Sequence, residues 1–414
     1  MPNARLVTAV ACAHSLLALI ACGDVSSAPS RLKPSGSGLA TRDGIEARRQ
    51  SSPAVSASVT WNEIARNYVA ALVVKPNQQA NLRSFAYLSL AQYKAVVAAN
   101  DEDVDNDEGH GRSTHALPQA AVAGASSAVL SYFFPAGAAG FEAAVRAQDS
   151  HHSDFSAGEA IGRAIGASVI ARAKTDRFDA VWTGTIPVGP CRWTGTNPLL
   201  PLLGEMRPFF LKSGSQFRPP PPPSCESAEF KAALAEVRHL SDTRTPEQLA
   251  IAQYWAGTTG SLVAGLWNAK VSDLITRHRL SERRASHALA LTNMAAMDAN
   301  IACHDGKYAY WFIRPFQADP AITTPIGRPN HPSYPSNHAC VSGAFAYVLG
   351  ALLPSERDQL AQQAQQAAES RLFAGIHYRF DRDAGLKIAR EVTAVVLRRS
   401  RQNDESVPDR EPEK

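Results

Sequence analysis

Three short blocks in the last third of this chain hold the side chains most able to do chemistry. The first is Lys307-Tyr-Ala-Tyr-Trp-Phe-Ile-Arg314-Pro315. Its two cations are seven residues apart, two helical turns, so on a helix they point the same way. Pro315 disfavours helix at the residue before it, which predicts a helix end at Arg314 with the guanidinium at its tip. The second block is Tyr334-Pro335-Ser336-Asn337-His338, followed by the apolar run Ala339 to Leu353. Ser336 is an expected N-cap for that run. A helix start attracts anions through its free amides and dipole, and His338 would stand at it. The third block is Ser370-Arg371-Leu-Phe-Ala-Gly-Ile-His377-Tyr-Arg-Phe-Asp381. It adds a third cation and, four residues apart, a His and an Asp. On a helix these share a face, so Asp381 would orient the His377 imidazole and raise its basicity. Singly, each residue is an ordinary surface charge, helix end or structural histidine. Together they supply what a tetrahedral oxyanion needs: charge, fork-shaped donors and a nucleophile.

The elements that must carry these blocks read as helix after helix. Apolar residues recur at helical spacing over Trp61–Leu72 and Leu82–Val97. Ser156-Ala-Gly-Glu159 has the form of a capping box before a helix to about Ala173. Thr245-Pro246-Glu247-Gln248 predicts a helix start, running to Trp255. Further helices are expected over Ser281–His304, Ser355–Glu369 and Asp383–Arg398. No alternating β-branched run points to a sheet, so the fold class is all-α. Residues 187–224 break the pattern with many prolines, five of them consecutive at Pro219–Pro223. They cannot be helical and are expected as an extended loop over the helical body. The acidic stretch Asp101–Gly109 has Asn106 where a calcium loop wants Gly and Arg112 where it wants Glu, so it reads as solvated acid rather than a metal site.

The chain begins with Arg5 and an apolar run from Leu6 to Ala21, the form of a signal peptide. It ends in Leu19-Ile20-Ala21-Cys22-Gly23, which resembles a bacterial lipobox with Cys22 as the lipidated residue; the alternative is a plain secretory signal. Either takes the mature protein out of the cytoplasm, to the periplasm or onto the outer membrane. The expected organisation is signal 1–22, flexible linker 23–58 rich in Ser, Ala and Gly, one helical domain 59–399, and a charged tail 400–414. Four cysteines remain beyond the leader. Cys191 and Cys225 flank the proline-rich stretch and are expected to pair; Cys303 and Cys340 read as small buried hydrophobes. A net charge of +4, scattered along the chain, argues against nucleic acid as a partner. No other segment has the make-up of a membrane span, so membrane contact is expected only through an N-terminal lipid.

The order K-x6-R-P, P-S-x-H, S-R-x5-H-x3-D resembles the signature of the type-2 phosphatidic acid phosphatase and vanadium haloperoxidase superfamily. Lys307, Arg314, Pro315, Pro335, Ser336, His338, Ser370, Arg371, His377 and Asp381 match it. The layout from Trp61 to Arg398 is similar to the soluble bacterial haloperoxidase-like branch. The resemblance implies a helical bundle of the haloperoxidase and acid phosphatase type. It also implies an oxyanion site of Lys307, Arg314, Ser336, Asn337 and Arg371. Asn337 stands where the family usually has Gly; Asn keeps the backbone amide and tolerates left-handed dihedrals.

In a phosphatase of this type His377, oriented by Asp381, forms a phosphohistidine, and His338 is the acid–base group. No cofactor is then required, and the small-molecule partner is a phosphoester. In a haloperoxidase the pocket holds vanadate, with His377 as its ligand, and the partners are halide and peroxide. His331, seven residues before His338, matches a histidine of bromoperoxidases and is a possible halide-side residue. Phosphomonoester hydrolysis ranks first and halide oxidation second. The third reading, a phosphate- or vanadate-binding lipoprotein without turnover, has no use for two histidines. Glu247, Asp298 and Asp305 are the carboxylates available to His338.

Overall fold

Apolar residues at helical spacing dictate what the chain becomes. The computed structural model describes residues 56–106, 116–149, 153–257 and 260–402, all within the unit Pro53–Lys414. The expected signal segment, most of the expected linker and the tail from residue 403 lie outside the described residues, as do Cys22 and residues 107–109 of the acidic stretch. Among the described residues there are thirteen α-helices, four short 3-10 turns and no strand. The helices are α1 (Ala57–Ala71), α2 (Gln78–Asn106), α3 (Pro118–Phe133), α4 (Ala138–Gln148), α5 (Ser153–Lys174), α6 (Ala228–Asp242) and α7 (Pro246–Ala256). They continue with α8 (Leu262–Arg277), α9 (Glu282–Tyr310), α10 (Pro315–Ala318), α11 (Asn337–Leu352), α12 (Arg357–Phe373) and α13 (Arg379–Gln402). None of them is long and apolar enough to cross a membrane.

Helix α9 is the axis. From Ala285 to Lys307 nearly every residue is buried, as expected of a helix wrapped on all sides. It packs against α2, α11 and α13. Its alanines, among them Ala290, Ala295, Ala299 and Ala302, let those neighbours approach closely. A second close approach joins α3 and α5, where a Cβ on Gly162 would lie 2.0 Å from the carbonyl oxygen of Ala121. Only glycine fits there. Buried amides tie α1, α8 and α9 together: Asn62 and Asn293 both donate to Asn268 Oδ1, at 2.8 and 2.9 Å.

The expected capping box at Thr245 is present, with Gln248 N donating to Thr245 Oγ1 and Thr245 N to Gln248 Oε1. The one at Ser156 is not. Helix α5 already runs at Ser153, and burial of Phe155 holds that earlier turn in the core, so Ser156 sits within the helix. Helix α1 starts at Ala57, inside the stretch expected as linker, and α13 runs on to Gln402.

The helix carrying Lys307 also ends before its expected limit. Trp311 takes a left-handed φ of 49° and closes α9 three residues ahead of Arg314. Proline is not the cause. The backbone of 311–313 is claimed by the disulfide segment: Trp193 N donates to Trp311 O and Ile313 N to Cys191 O. Cys191 is bonded to Cys225, as expected.

This bond clips the proline-rich loop, which is non-helical apart from two 3-10 turns. Prolines lack a donor but keep their carbonyls, and these are held by tyrosines: Tyr310 donates to Pro219 O at 2.6 Å and Tyr334 to Pro220 O at 2.8 Å. Asp298 of α9 accepts the amides of Phe209, Phe210 and Leu211.

Candidate active site

The carboxylate of Asp381 organises the site. Asp381 is the third residue of α13 and accepts the amide of Tyr378, the residue before the helix, at 3.1 Å. That is half of a capping box. The same oxygen accepts from Ser333 Oγ at 2.6 Å and His377 Nδ1 at 2.7 Å. The expected pairing is therefore present, but not on one helical face, because His377 precedes α13. The chain reverses between α12 and His377 at Gly375, whose φ is +71°; a Cβ there would also meet Thr323 O at 2.5 Å. Burial pushes the Asp381 carboxyl up to about 6.

Arg314 forms the second anchor. It is fully buried just before the short α10. Its Nε donates to His331 O at 3.0 Å and its Nη1 to Ile376 O at 2.6 Å. Nη1 also lies 3.1 Å from His377 Nε2. A guanidinium can only donate. Nδ1–H of His377 therefore faces Asp381, and its Nε2 presents a lone pair towards the cation. Burial first, then Arg314 and Lys307, hold this imidazole neutral, well below its usual pKa. Arg314 Nη2 lies 3.1 Å from His331 Nδ1.

Lys307 is wholly buried in the last turn of α9. Its ammonium donates to the carbonyls of Pro332, Ser333 and Pro335, which binds the Ser336 loop to the central helix. Burial pushes it down to about 8. Arg371, in the last turn of α12, donates to Ser370 Oγ and Ala252 O, both at 2.8 Å.

Ser336 occupies the position before α11, but its hydroxyl makes no cap. Its amide donates to Asp381 O at 2.9 Å, which holds the residue against α13 with Oγ unpaired. Asn337 heads α11 in helical conformation; no left-handed dihedral occurs there, so its backbone does not require glycine. His338 Nε2 lies 2.9 Å from Trp255 O. A carbonyl only accepts, so Nε2 carries the proton and Nδ1 the lone pair. Among the described residues no carboxylate is bonded to His338. Asp298 and Asp305 are engaged by the proline-rich loop, and Glu247 heads α7. Burial, then Arg371, lower the His338 pKa well below its usual value.

A cavity of about 270 Å3 opens onto these groups. His331, Asn337, His338, Arg371 and His377 line it, with Leu82, Val263, Ile326 and Val341 as apolar wall. Lys307, Arg314 and Ser336 lie just outside this lining, with Arg314 in contact with the lining residues His331 and His377. The expected residues thus converge from three distant segments. Unpaired buried oxygens of Ser336, Asn337 and Asp381 accompany them, and the first-turn amides of α11 have no helical acceptor. Hydroxyl, amides and guanidinium suit a tetrahedral oxyanion, phosphate or vanadate alike. Among the described residues no cluster of His, Cys, Asp and Glu could hold a bare metal ion. Sequence reasoning missed Ser333 and the carbonyls of Trp255 and Ile376. Ser333 lay close to the motif; carbonyls leave no trace in side-chain types.

Comparison with known proteins agrees with the helical fold. Residues 287–405 match the PAP2 superfamily. A non-specific acid phosphatase of Providencia stuartii is 29% identical over 186 residues, 43% of this chain and 71% of that protein. A vanadium-dependent bromoperoxidase of Ascophyllum nodosum is 33% identical over 17% of this chain, and the match spans only 18% of its own length. In three dimensions the fold is similar to a bacterial vanadium-dependent iodoperoxidase, with a TM-score of 0.70 at 21% identity, over 84% of this chain and 98% of that one. A bacterial vanadium-dependent chloroperoxidase follows with a TM-score of 0.64 at 14% identity, over 80% and 97%. Residues 287–405, which hold all three motif blocks, thus match the PAP2 superfamily, and the chain is similar to an acid phosphatase and to a vanadium-dependent bromoperoxidase.

Proposed function

We propose that this protein is a phosphoric monoester hydrolase that works through a phosphohistidine on His377. The observation that carries the reading is the state of that imidazole. Its Nδ1–H is held by Asp381 at 2.7 Å, and its Nε2 lone pair faces Arg314 Nη1 at 3.1 Å. Arg314 and Arg371 grip the phosphoryl oxygens, with Ser336 Oγ and the Asn337 amide as further donors; Lys307 holds the loop and supplies charge. Arg314 Nη1 turns from Nε2 to the ester, and Nε2 attacks phosphorus. The N–P bond forms as the ester O–P bond breaks. His338, protonated once the anionic ester offsets Arg371, gives its proton to the leaving oxygen. It then takes one from the water that cleaves the N–P bond, releasing inorganic phosphate. The span of the match to an acid phosphatase supports this order of preference.

One observation favours the second reading, a vanadium-dependent haloperoxidase. His331 is buried in the cavity wall 3.1 Å from Arg314, where a histidine suits a halide pocket. The donor set fits vanadate as well as phosphate: His377 Nε2 would ligate it, and Arg314, Arg371, Ser336 and Asn337 would hold its oxygens. When bound, vanadate supplies the oxidation of halide by peroxide. Export remains part of the proposal, with Cys22 as a lipidated N-terminus, and the Cys191–Cys225 bond supports it because such bonds persist in oxidising compartments.

Purified protein assayed with p-nitrophenyl phosphate, and separately with vanadate, peroxide and bromide, tests both readings. Hydrolysis without bromination is expected. Bromination alone would reverse the order, and oxyanion binding with neither activity would leave a binding lipoprotein.

A further inference from the structure

Beside the cavity lies a buried polar chain that the mechanism does not use. His304, on α9, is fully buried. Its Nδ1 lies 3.0 Å from the Asn300 carbonyl, which can only accept. Nδ1 therefore carries the proton and Nε2 is an acceptor. Gln79 of α2 places Nε2 at 3.4 Å from that nitrogen. The contact is a hydrogen bond only if the amide NH2 points at the ring, and this settles the amide orientation. Gln79 Oε1 is left as a bare acceptor. It is buried, has no partner, and belongs to a residue lining the same cavity as His338 and His377. His304 is held neutral by burial, at about 3, so the direction of the chain does not invert at ordinary pH. The His304 and His331 ring centroids are 5.8 Å apart, and His331 touches Arg314. Gln79 is therefore linked to the phosphoryl end through the rings of His304 and His331. Asn300 also lines the cavity with its side-chain oxygen unpaired.

We infer that Gln79 is a specificity residue that reads a hydroxyl on the organic part of the phosphoester, with His304 as the positioning residue that fixes its carbonyl toward the substrate. This rests on the phosphatase reading and narrows it to hydroxylated alkyl phosphates. A buried acceptor left empty by a substrate without a donor is costly, whereas a matched hydroxyl recovers that loss. The apolar neighbours Leu82, Val263 and Ile326 pack the carbon skeleton and keep water from substituting.

The test compares glycerol 1-phosphate with propyl phosphate, matched in carbon number. Wild-type kcat/KM should favour the hydroxylated ester by about tenfold, the worth of one net hydrogen bond of ~1.4 kcal/mol. In Gln79→Met the ratio should fall to about one. The wild-type ratio needs no variant, so a folding defect cannot mask the outcome. Hydrolysis of p-nitrophenyl phosphate with equal use of both alkyl esters would overturn the inference and leave the phosphatase reading intact. Failure to hydrolyse any of the three esters would overturn both.

Discussion

His377 Nδ1 stands 2.7 Å from Asp381 Oδ2, with both side chains almost wholly buried. The carboxylate fixes which ring nitrogen holds the proton. Asp381→Asn can present an NH2 to Nδ1, which would move the ring proton to Nε2 and remove the nucleophilic lone pair. Phosphoester kcat should fall on the order of 10^4-fold, as in other His–Asp pairs that lose the correct tautomer. A loss of less than tenfold would mean that the pair is structural only.

The pH profile follows from two buried charges. Asp381 is raised to about 6, so below that pH it is protonated and no longer accepts from His377 and Ser333. Lys307 is lowered to about 8, so above that pH it is neutral and the oxyanion loses a cation. In the free enzyme kcat/KM should form a bell with limbs near these values. A profile flat from pH 4 to 10 would contradict the assignment.

His338 donates through Nε2 to a carbonyl rather than to a carboxylate, so only that carbonyl and a bound anion favour its charged form. His338→Ala should cost about two to four decades in rate for an alkyl ester. It should cost less for an ester with an acidic leaving group such as p-nitrophenol, which needs little protonation. Equal losses for both esters would exclude the general-acid role.

Asp298 accepts three backbone amides of the proline-rich loop, at 2.7, 2.6 and 3.0 Å, from wholly within the core. Removing it in Asp298→Ala would leave those donors buried and unpaired. At about 1–3 kcal/mol each, the loss is roughly 3 kcal/mol or more. Thermal unfolding should move down by several degrees; a midpoint within about 1 °C of wild type would show that the loop finds other partners.

Much of this was legible in the sequence. Helical periodicity gave the bundle, and spacing brought forward Lys307, Arg314, His338, Arg371, His377 and Asp381, because side-chain charge is visible in residue type. What remained hidden depends on backbone and tertiary context. The end of α9 at Trp311 is set by residues 191–193, more than a hundred positions away. His377 and Asp381 meet through a turn rather than along a helix. The partner of His338 is a carbonyl, which every residue has. Ser336 keeps its place before α11 while its hydroxyl stays unpaired, since its amide is taken by Asp381 O.

The most direct test is to trap the phosphoryl group. Enzyme mixed with 32P-labelled phosphoester, quenched within a turnover in alkali, where phosphohistidine survives, should carry label on the peptide that contains His377. His377→Ala should carry none and turn over no substrate while remaining folded. Label on another residue, or full turnover by the variant, would contradict the assignment of His377 as nucleophile.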